Sequence, residues 1–258
     1  MQLAEPLAAS WKAALSLGFQ KVDQRTILTE KRSEGPLVVQ KALYPDGPER
    51  CHAIVVHPPG GIAGGDELSL DVRVGSDAKA LLTTPGAAKW YRSAGSWARQ
   101  TLRFAVEGCL EWLPRETIVF DGALAELQTE VVLNEGARYI GWEMACLGRF
   151  TRGRLNIETR ITQGSRLRFI EKGGIDGGGC WMRSPAGLGG RTVFGTFVAT
   201  TETLGHTRDA VPELAMTQLP GLLVARYLGD SSEDALRAFT RLWKLLRPGA
   251  IEPRIWAT

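Results

Sequence analysis

Several acidic side chains of this sequence lie in or beside turns rich in glycine and proline, where a fixed backbone could hold them for chemistry. Asp66 ends the segment HPPGGIAGGD, which begins at His57. Its prolines restrict the backbone and its two Gly-Gly pairs permit positive φ, so Asp66 can bond back to the loop amides. This pattern favours a rigid structural turn. A preorganised loop that presents His57 and Asp66 to a ligand is the functional alternative.

Three more carboxylates, Glu111, Glu116 and Asp121, lie in the segment LEWLPRETIVFDGA. Paired carboxylates can hydrolyse glycosides if the pKa of one is raised, and their oxygens can bind a divalent ion. Solvated strand ends are the commonest alternative. Glu143 differs because it lies inside the apolar run GWEMACLG, where a buried carboxylate needs a partner.

Cations and aromatic rings occur together in the segment LLTTPGAAKWYRS, which contains Lys89, Trp90, Tyr91 and Arg92 in succession. Trp, Tyr and Arg are enriched at protein interfaces, and the same mixture can bind nucleic acid. The net charge of +3 makes long-range attraction to nucleic acid weak. The four residues therefore predict a protein interface.

The short motifs of common enzymes are missing from the sequence. There is no H-E-x-x-H motif, and three histidines limit metal and triad chemistry. No Gly-Lys dipeptide occurs, so a Walker A loop is absent and we expect no nucleotide hydrolysis by this chain alone. The glycine clusters do not fit G-x-G-x-x-G, and no G-x-S-x-G elbow occurs.

The composition predicts a cytosolic protein. The four cysteines are widely spaced without a C-x-x-C pair, which favours reduced, mostly buried thiols. The first residues lack a basic region, and Glu5 and Pro6 interrupt their apolar run, so we expect no signal peptide. No apolar run is long enough to span a bilayer.

Short strands separated by turns dominate the pattern. The sequence has 30 glycines in 258 residues, which predicts many tight turns. Apolar residues alternate with polar ones at Leu68, Leu70 and Val72, as in a half-buried strand. A strand recurs about every ten to twelve residues, which is typical of an all-β sandwich, barrel or solenoid.

We expect a single domain over residues 1–258, with a loose lead-in over 1–15 and a glycine-rich mobile loop over 172–190. Residues 231–247 predict an amphipathic helix, because Ser231 has capping-box spacing and Pro248-Gly249 stops the pattern. Trp243 lies on its apolar face. That face is expected to pack on the sheet, with a partner contact as the alternative.

Four segments, in order, resemble signature blocks of the UreD/UreH family of urease accessory proteins. They are HPPGGIAGGDEL, LLTTPGAAKWYRS, LEWLPRETIVFDGA and GWEMACLGR. Weaker similarity follows in SPAGLGGRTVFGTF, LLRP and the terminal PRIWAT, so the resemblance runs from about Trp11 to Thr258. The segment TRGRLNIETRI departs from the family because it lacks an expected Gly-Glu pair.

The resemblance implies a mainly β fold of stacked or solenoid-like sheets with about two C-terminal α-helices. It implies a cytoplasmic protein that is not an enzyme and that binds apo-urease and the helical protein UreF, which engages the GTPase UreG. UreE is the expected nickel donor. No tightly bound cofactor is expected, and nickel would be in transit, in one proposal through a water-filled passage.

Oxygen ligands hold Ni²⁺ more loosely than thiolate or imidazole clusters, so a passage lined by carboxylates would permit transit. Contacts with partner proteins are expected at Lys89–Arg92 and at Trp243 of the C-terminal helix. A β-rich hydrolase using Glu116 and Asp121 and a ligand-binding β module remain alternatives. The candidate residues for a nickel path are Asp66, Glu116, Asp121, Glu143 and Asp176.

Overall fold

A computed structural model describes residues 10–202, Gly205 and residues 207–257. Within these residues the chain forms seventeen strands, three α-helices and a final 3-10 helix (Arg254–Ala257). The helices are α1 (Cys180–Arg183), α2 (Thr207–Ala210) and α3 (Ser232–Leu246). The strands are β1 (Lys12–Val22), β2 (Arg25–Glu34), β3 (Val38–Leu43), β4 (Arg50–Val56), β5 (Glu67–Val74), β6 (Lys79–Thr83), β7 (Ala88–Trp90), β8 (Ala98–Val106), β9 (Cys109–Leu113), β10 (Thr117–Val119), β11 (Leu124–Leu133), β12 (Arg138–Cys146), β13 (Arg154–Gln163), β14 (Arg166–Asp176), β15 (Val193–Thr200), β16 (Ala215–Leu219) and β17 (Leu222–Gly229).

Two sheets face each other, and the chain passes between them at each turn of a coil. The first has the order β14-β13-β11-β8-β5-β1-β2, and the second runs β16-β17-β15-β12-β9-β6-β4-β3. Successive turns stack in parallel: Cys51 pairs with Ala80, Ala80 with Leu110, and Leu110 with Tyr139. The coil is solenoid-like, which confirms the mainly β prediction. It forms without a sequence repeat, because parallel stacking uses backbone hydrogen bonds.

A third, narrow side of the coil connects the two sheets. Trp90 of β7 bridges in parallel to Ile62 on one side and pairs with Val119 of β10 on the other. β10 in turn pairs with the end of β12, where Thr117 lies beside Ala145. The segments with the densest polar and glycine content therefore stack along this side.

The main core fills the space between the sheets. Leu68, Leu70 and Val72 of β5 are buried, and the residues between them face outward. On the outer face, Asp71 pairs with Arg103 of the neighbouring strand β8. The period-2 pattern thus places one apolar face inside and one charged face in water, as predicted.

Helix α3 closes a second apolar layer on the outside of the second sheet. The Ser231 side chain accepts a hydrogen bond from the Asp234 amide at 3.1 Å, which caps the first turn. Phe239, Leu242 and Trp243 are fully buried against β12, β15 and β17. The predicted helix is present, and its apolar face packs on the sheet. The other helix in this half, α2, has only four residues.

Two boundaries predicted from the sequence are wrong. Residues 1–9 of the lead-in expected over 1–15 lie outside the described residues, and its last residues are strand from Lys12, because β1 pairs with both β2 and β5 and buries Ala13 and Leu15. The loop expected over 172–190 begins as strand, since β14 pairs with β13 as far as Asp176. Helix α1 occupies four more of its residues.

All four cysteines are free, but their burial differs from the prediction. Cys51 is buried, Cys109 and Cys146 are half-buried, and Cys180 is exposed in α1. Among the described helices, none combines the length and apolar character needed to cross a membrane.

Candidate functional site: two adjoining cavities

The larger of two neighbouring cavities lies between the sheets and has a volume of about 310 Å³. Its walls are mainly apolar, with Leu70, Leu102 and Trp112 among them. A few polar side chains interrupt this surface, so a charged solute would meet isolated ligands. They are His57, Thr84, Lys89, Gln100, Arg115, Thr117 and Glu143.

The smaller cavity, of about 50 Å³, adjoins the first and lies toward the other end of β12. Its polar residues not found in the larger one are Thr129, Tyr139, Thr159, Glu171 and Thr196. The two cavities share four lining residues, which mark their junction: Thr117, Leu127, Glu143 and Met144.

Glu143 is the one carboxylate common to both cavities among their described lining residues. The Thr129 hydroxyl donates a hydrogen bond to its Oε1. Burial raises the pKa of Glu143 to about 7, and the Glu171 carboxylate adds to this rise, while the Thr129 hydrogen bond opposes it. The carboxyl group can therefore exchange a proton for a cation near neutral pH.

His57 lies in the wall of the larger cavity, directly after β4. It is half-buried, and its Nε2 atom has no hydrogen-bond partner. Burial lowers the pKa of His57, and the nearby Asp66 carboxylate opposes that effect. A neutral imidazole with an unused nitrogen is a potential ligand for a passing metal ion.

Asp66 forms the structural turn that its sequence favoured. Its Oδ1 accepts the Trp11 amide and its Oδ2 accepts the Ala63 amide, both at 2.8 Å. The residue is 3% exposed and does not line either cavity. Both oxygens are occupied, which corrects the placement of Asp66 on a nickel path.

Asp121 is also occupied by the fold. Its Oδ1 accepts the Thr151 and Arg152 amides at 2.7 and 2.9 Å and the Thr151 hydroxyl at 2.8 Å. The Thr151 hydroxyl and these amides lower the pKa of Asp121 to about 2. A glycosidase acid needs a raised pKa, so this geometry disfavours the hydrolase alternative. It also gives the divergent segment at Thr151 a structural role.

The two remaining candidates for the nickel path, Glu116 and Asp176, are not among the residues that line the cavities. Glu116 pairs with Arg115 at 3.4 Å, and the exposed Asp176 pairs with Arg154 at 2.8 Å. Over the described part of the chain, no three His, Cys, Asp or Glu residues are grouped to hold a metal ion. The predicted carboxylate series is therefore reduced to Glu143.

The predicted interface also changes. Trp90 is 1% exposed and packs in the core, and Trp243 of α3 is fully buried against the second sheet. The predicted interface roles of these two tryptophans are wrong, because apolar packing removes their side chains from the surface. Lys89, Tyr91 and Arg92 are exposed as predicted.

A buried charged cluster was not predicted. Glu111 is fully buried, and its Oε1 lies 2.8 Å from Arg50 Nη1 and 3.2 Å from Arg247 Nε. Its Oε2 accepts the Trp243 indole N–H at 2.9 Å. Asp46 pairs with Arg247 at 2.7 Å. The available signals were Glu111 inside the apolar run LEWL and Arg247 in the LLRP segment, but sequence alone does not pair them.

Two more indoles connect the outer layer to the strand ends beside the larger cavity. Trp142 Nε1 donates to the Pro114 carbonyl at 2.9 Å, and Trp256 Nε1 donates to the Thr83 hydroxyl at 2.8 Å. Pro114 lines the cavity, and Thr83 directly precedes its Thr84–Lys89 wall. The C-terminal layer thus supports the cavity from outside.

Comparisons with known proteins agree on one family. The model of the UreD urease accessory protein family matches residues 12–257. The chain is 48% identical to the urease accessory protein UreD of Dechloromonas aromatica (strain RCB), over 96% of this chain and 95% of that protein. It is 49% identical to UreD of Azoarcus sp. (strain BH72), over 96% and 94%. The chain therefore belongs to the UreD family of urease accessory proteins.

Proposed function

We propose that this chain is a non-catalytic scaffold in urease maturation, which binds apo-urease together with UreF and UreG. In this proposal UreE supplies nickel, UreG hydrolyses GTP, and this chain assists insertion of nickel into urease. Family membership supports the role in maturation. The missing Walker A motif supports a separate GTPase.

The observation that carries the nickel step is the junction of the two cavities at Glu143. A passage between the sheets needs continuous space and a ligand where it narrows. The cavities supply the space, and Glu143 supplies an oxygen ligand that both of them reach. His57 lines the larger cavity and Glu171 the smaller one, on either side of the junction.

The chemistry of the walls suits transit better than storage. A site built of several thiolates or imidazoles would hold Ni²⁺ tightly, whereas a single carboxylate and separated polar groups bind it weakly. When Glu143 loses its proton, a nickel ion can bind the carboxylate through one charge-assisted contact. A single contact of this kind also lets the ion leave again. The ion is cargo, and no resident metal site is required.

Glu143→Gln tests the nickel step, because the amide keeps the shape of the side chain but cannot carry the negative charge. Glu130→Gln is the matched control, since Glu130 is exposed on β11. Apo-urease is activated with UreE, UreF, UreG, nickel, bicarbonate and GTP, and its nickel content and urea hydrolysis are measured. We expect urease to gain nickel and activity at least about tenfold more slowly with Glu143→Gln than with wild type. The control variant should match wild type.

Binding of each variant to apo-urease and to UreF is measured in parallel. Unchanged binding with slow nickel delivery supports a passage through this chain. Equal activation rates for wild type and Glu143→Gln would reject the passage and leave a scaffold alone.

A further inference from the structure

Two aromatic rings are exposed side by side on the narrow side of the coil. Tyr91 directly follows β7 and Phe120 directly follows β10. Their ring centroids are 5.3 Å apart and the planes differ by 10°, so the rings are stacked. The residues are 46% and 42% exposed. A joined apolar surface of this kind is typical of a protein contact.

The backbone beneath these side chains holds them in place. A Cβ atom at Gly61 would lie 2.0 Å from Cε2 of Tyr91, so the ring rests directly on this glycine. A Cβ atom at Gly122 would lie 2.9 Å from Cγ of Arg92, so the arginine stem rests on the second glycine. Side chains ordered before binding lose less entropy on association.

Cations lie on the same side of the coil as the aromatic pair. Lys89 and Arg92 are near Tyr91 in the chain, and Arg149 lies on the next turn, between Cys146, which pairs with Ile118, and Thr151, which binds Asp121. Lys89, Arg92 and Arg149 are exposed, and within the described residues none of them has a carboxylate partner. The negative charge of Asp121 is offset by the Arg152 guanidinium, 3.5 Å from its Oδ2. The surface is therefore apolar at its centre and positive at its rim.

We propose that this aromatic–cationic surface, formed by Lys89, Tyr91, Arg92, Phe120 and Arg149, docks a carboxylate-rich surface of apo-urease. The inference rests on the proposed function. Charge complementarity indicates an acidic partner. Lys89 and Gly61 also line the larger cavity, so a protein docked here lies against this wall of the cavity.

The positive charge of the rim also bears on which protein docks here. Unpaired positive charges would repel Ni²⁺ arriving from water. Carboxylates of a docked protein would neutralise them and continue the series of oxygen ligands beyond the cavity. The protein that receives nickel is therefore the partner expected here.

The test compares charge and ring variants of the full chain. Arg92→Glu/Arg149→Glu reverses the rim, and Tyr91→Ala/Phe120→Ala removes the rings. Lys41→Glu and Leu167→Ala are the controls, because both residues are exposed on strands away from this surface. Affinity for immobilised apo-urease is measured from low to high ionic strength, with circular dichroism to verify folding.

We expect each double variant to bind apo-urease at least about tenfold more weakly, because buried Arg and Tyr contacts dominate interface energies. The rim variant should also lose most of the salt dependence. The single controls and binding to UreF should be unchanged.

The inference would be overturned if the folded double variants bound apo-urease as tightly as wild type does. It would also be overturned if they kept binding to apo-urease and lost binding to UreF. Tight binding of a labelled single-stranded oligonucleotide that the rim variant loses would assign the surface to nucleic acid. If the wild-type chain does not bind apo-urease, the proposed function itself fails and this docking assignment fails with it.

Discussion

Burial and ionisation oppose each other at Glu143. The fold surrounds this carboxyl with cavity walls and gives it one hydroxyl donor, Thr129, so its pKa rises from 4.5 to about 7. Below pH 7 the group is mostly neutral, and above it the group carries the charge that would attract Ni²⁺. One residue therefore links proton binding to the proposed transit.

Stability should fall as the pH rises through this pKa. Because the pKa of Glu143 is higher in the folded state than in the unfolded state, the folded state binds the proton more tightly. The stability that this proton binding contributes is complete below pH 4.5 and is lost as the pH passes 7. We expect wild type to lose about 3 kcal/mol over this range, relative to Glu143→Gln. Urea unfolding from pH 4.5 to 8 measures the difference. Parallel curves for the two proteins would contradict the assigned burial.

Some residue roles were readable from the sequence and others were not. The run GWEMACLG predicted the burial of Glu143, and the prolines and glycines before Asp66 predicted its turn. Trp90 was assigned to the surface because its neighbours are polar, yet β7 turns its side chain into the core. The direction of a side chain in so short a strand depends on the strands beside it.

At the scale of elements, α3 is fixed to the coil by both packing and charge. Trp243 packs in the outer apolar layer and donates to Glu111, while Arg247, which caps the helix, pairs with Glu111 and Asp46. A buried ion pair contributes little by itself, but breaking it leaves an uncompensated charge. The C-terminal helix should therefore be sensitive to Glu111.

Glu111→Gln should destabilise the chain by about 3–5 kcal/mol, since two guanidinium groups then face a neutral amide in a buried site. Glu233→Gln on the exposed face of α3 should change stability by less than about 0.5 kcal/mol. The midpoints of urea unfolding are measured for both variants and for wild type. Similar midpoints would show that the cluster is dispensable for docking the helix.

Elements with a strong local pattern were predicted, and those that depend on neighbours were missed. The alternation in β5 and the cap and apolar face of α3 are local signals. β2 is mostly polar and exposed, so its sequence resembles a loop, and it forms because β1 pairs with it. The parallel register between turns joins distant residues and has no local signal.

The whole molecule combines two adjoining cavities, a supporting layer and an exposed aromatic–cationic surface on one coil. The cavities lie between the sheets, the outer apolar layer donates hydrogen bonds to strand ends beside the larger cavity, and the Tyr91 ring rests on Gly61 in the wall of that cavity. Mainly β class was predictable from composition and alternation. The arrangement of these parts was not, because it follows from how the turns stack.

The nickel content of urease after maturation tests the central claim most directly. Apo-urease is incubated with nickel, bicarbonate, GTP, UreE, UreF and UreG, with and without this chain, then separated and analysed for metal and for urea hydrolysis. The account predicts nickel-loaded, active urease only when the chain is present. Equal nickel content and activity without it would contradict a role in urease maturation.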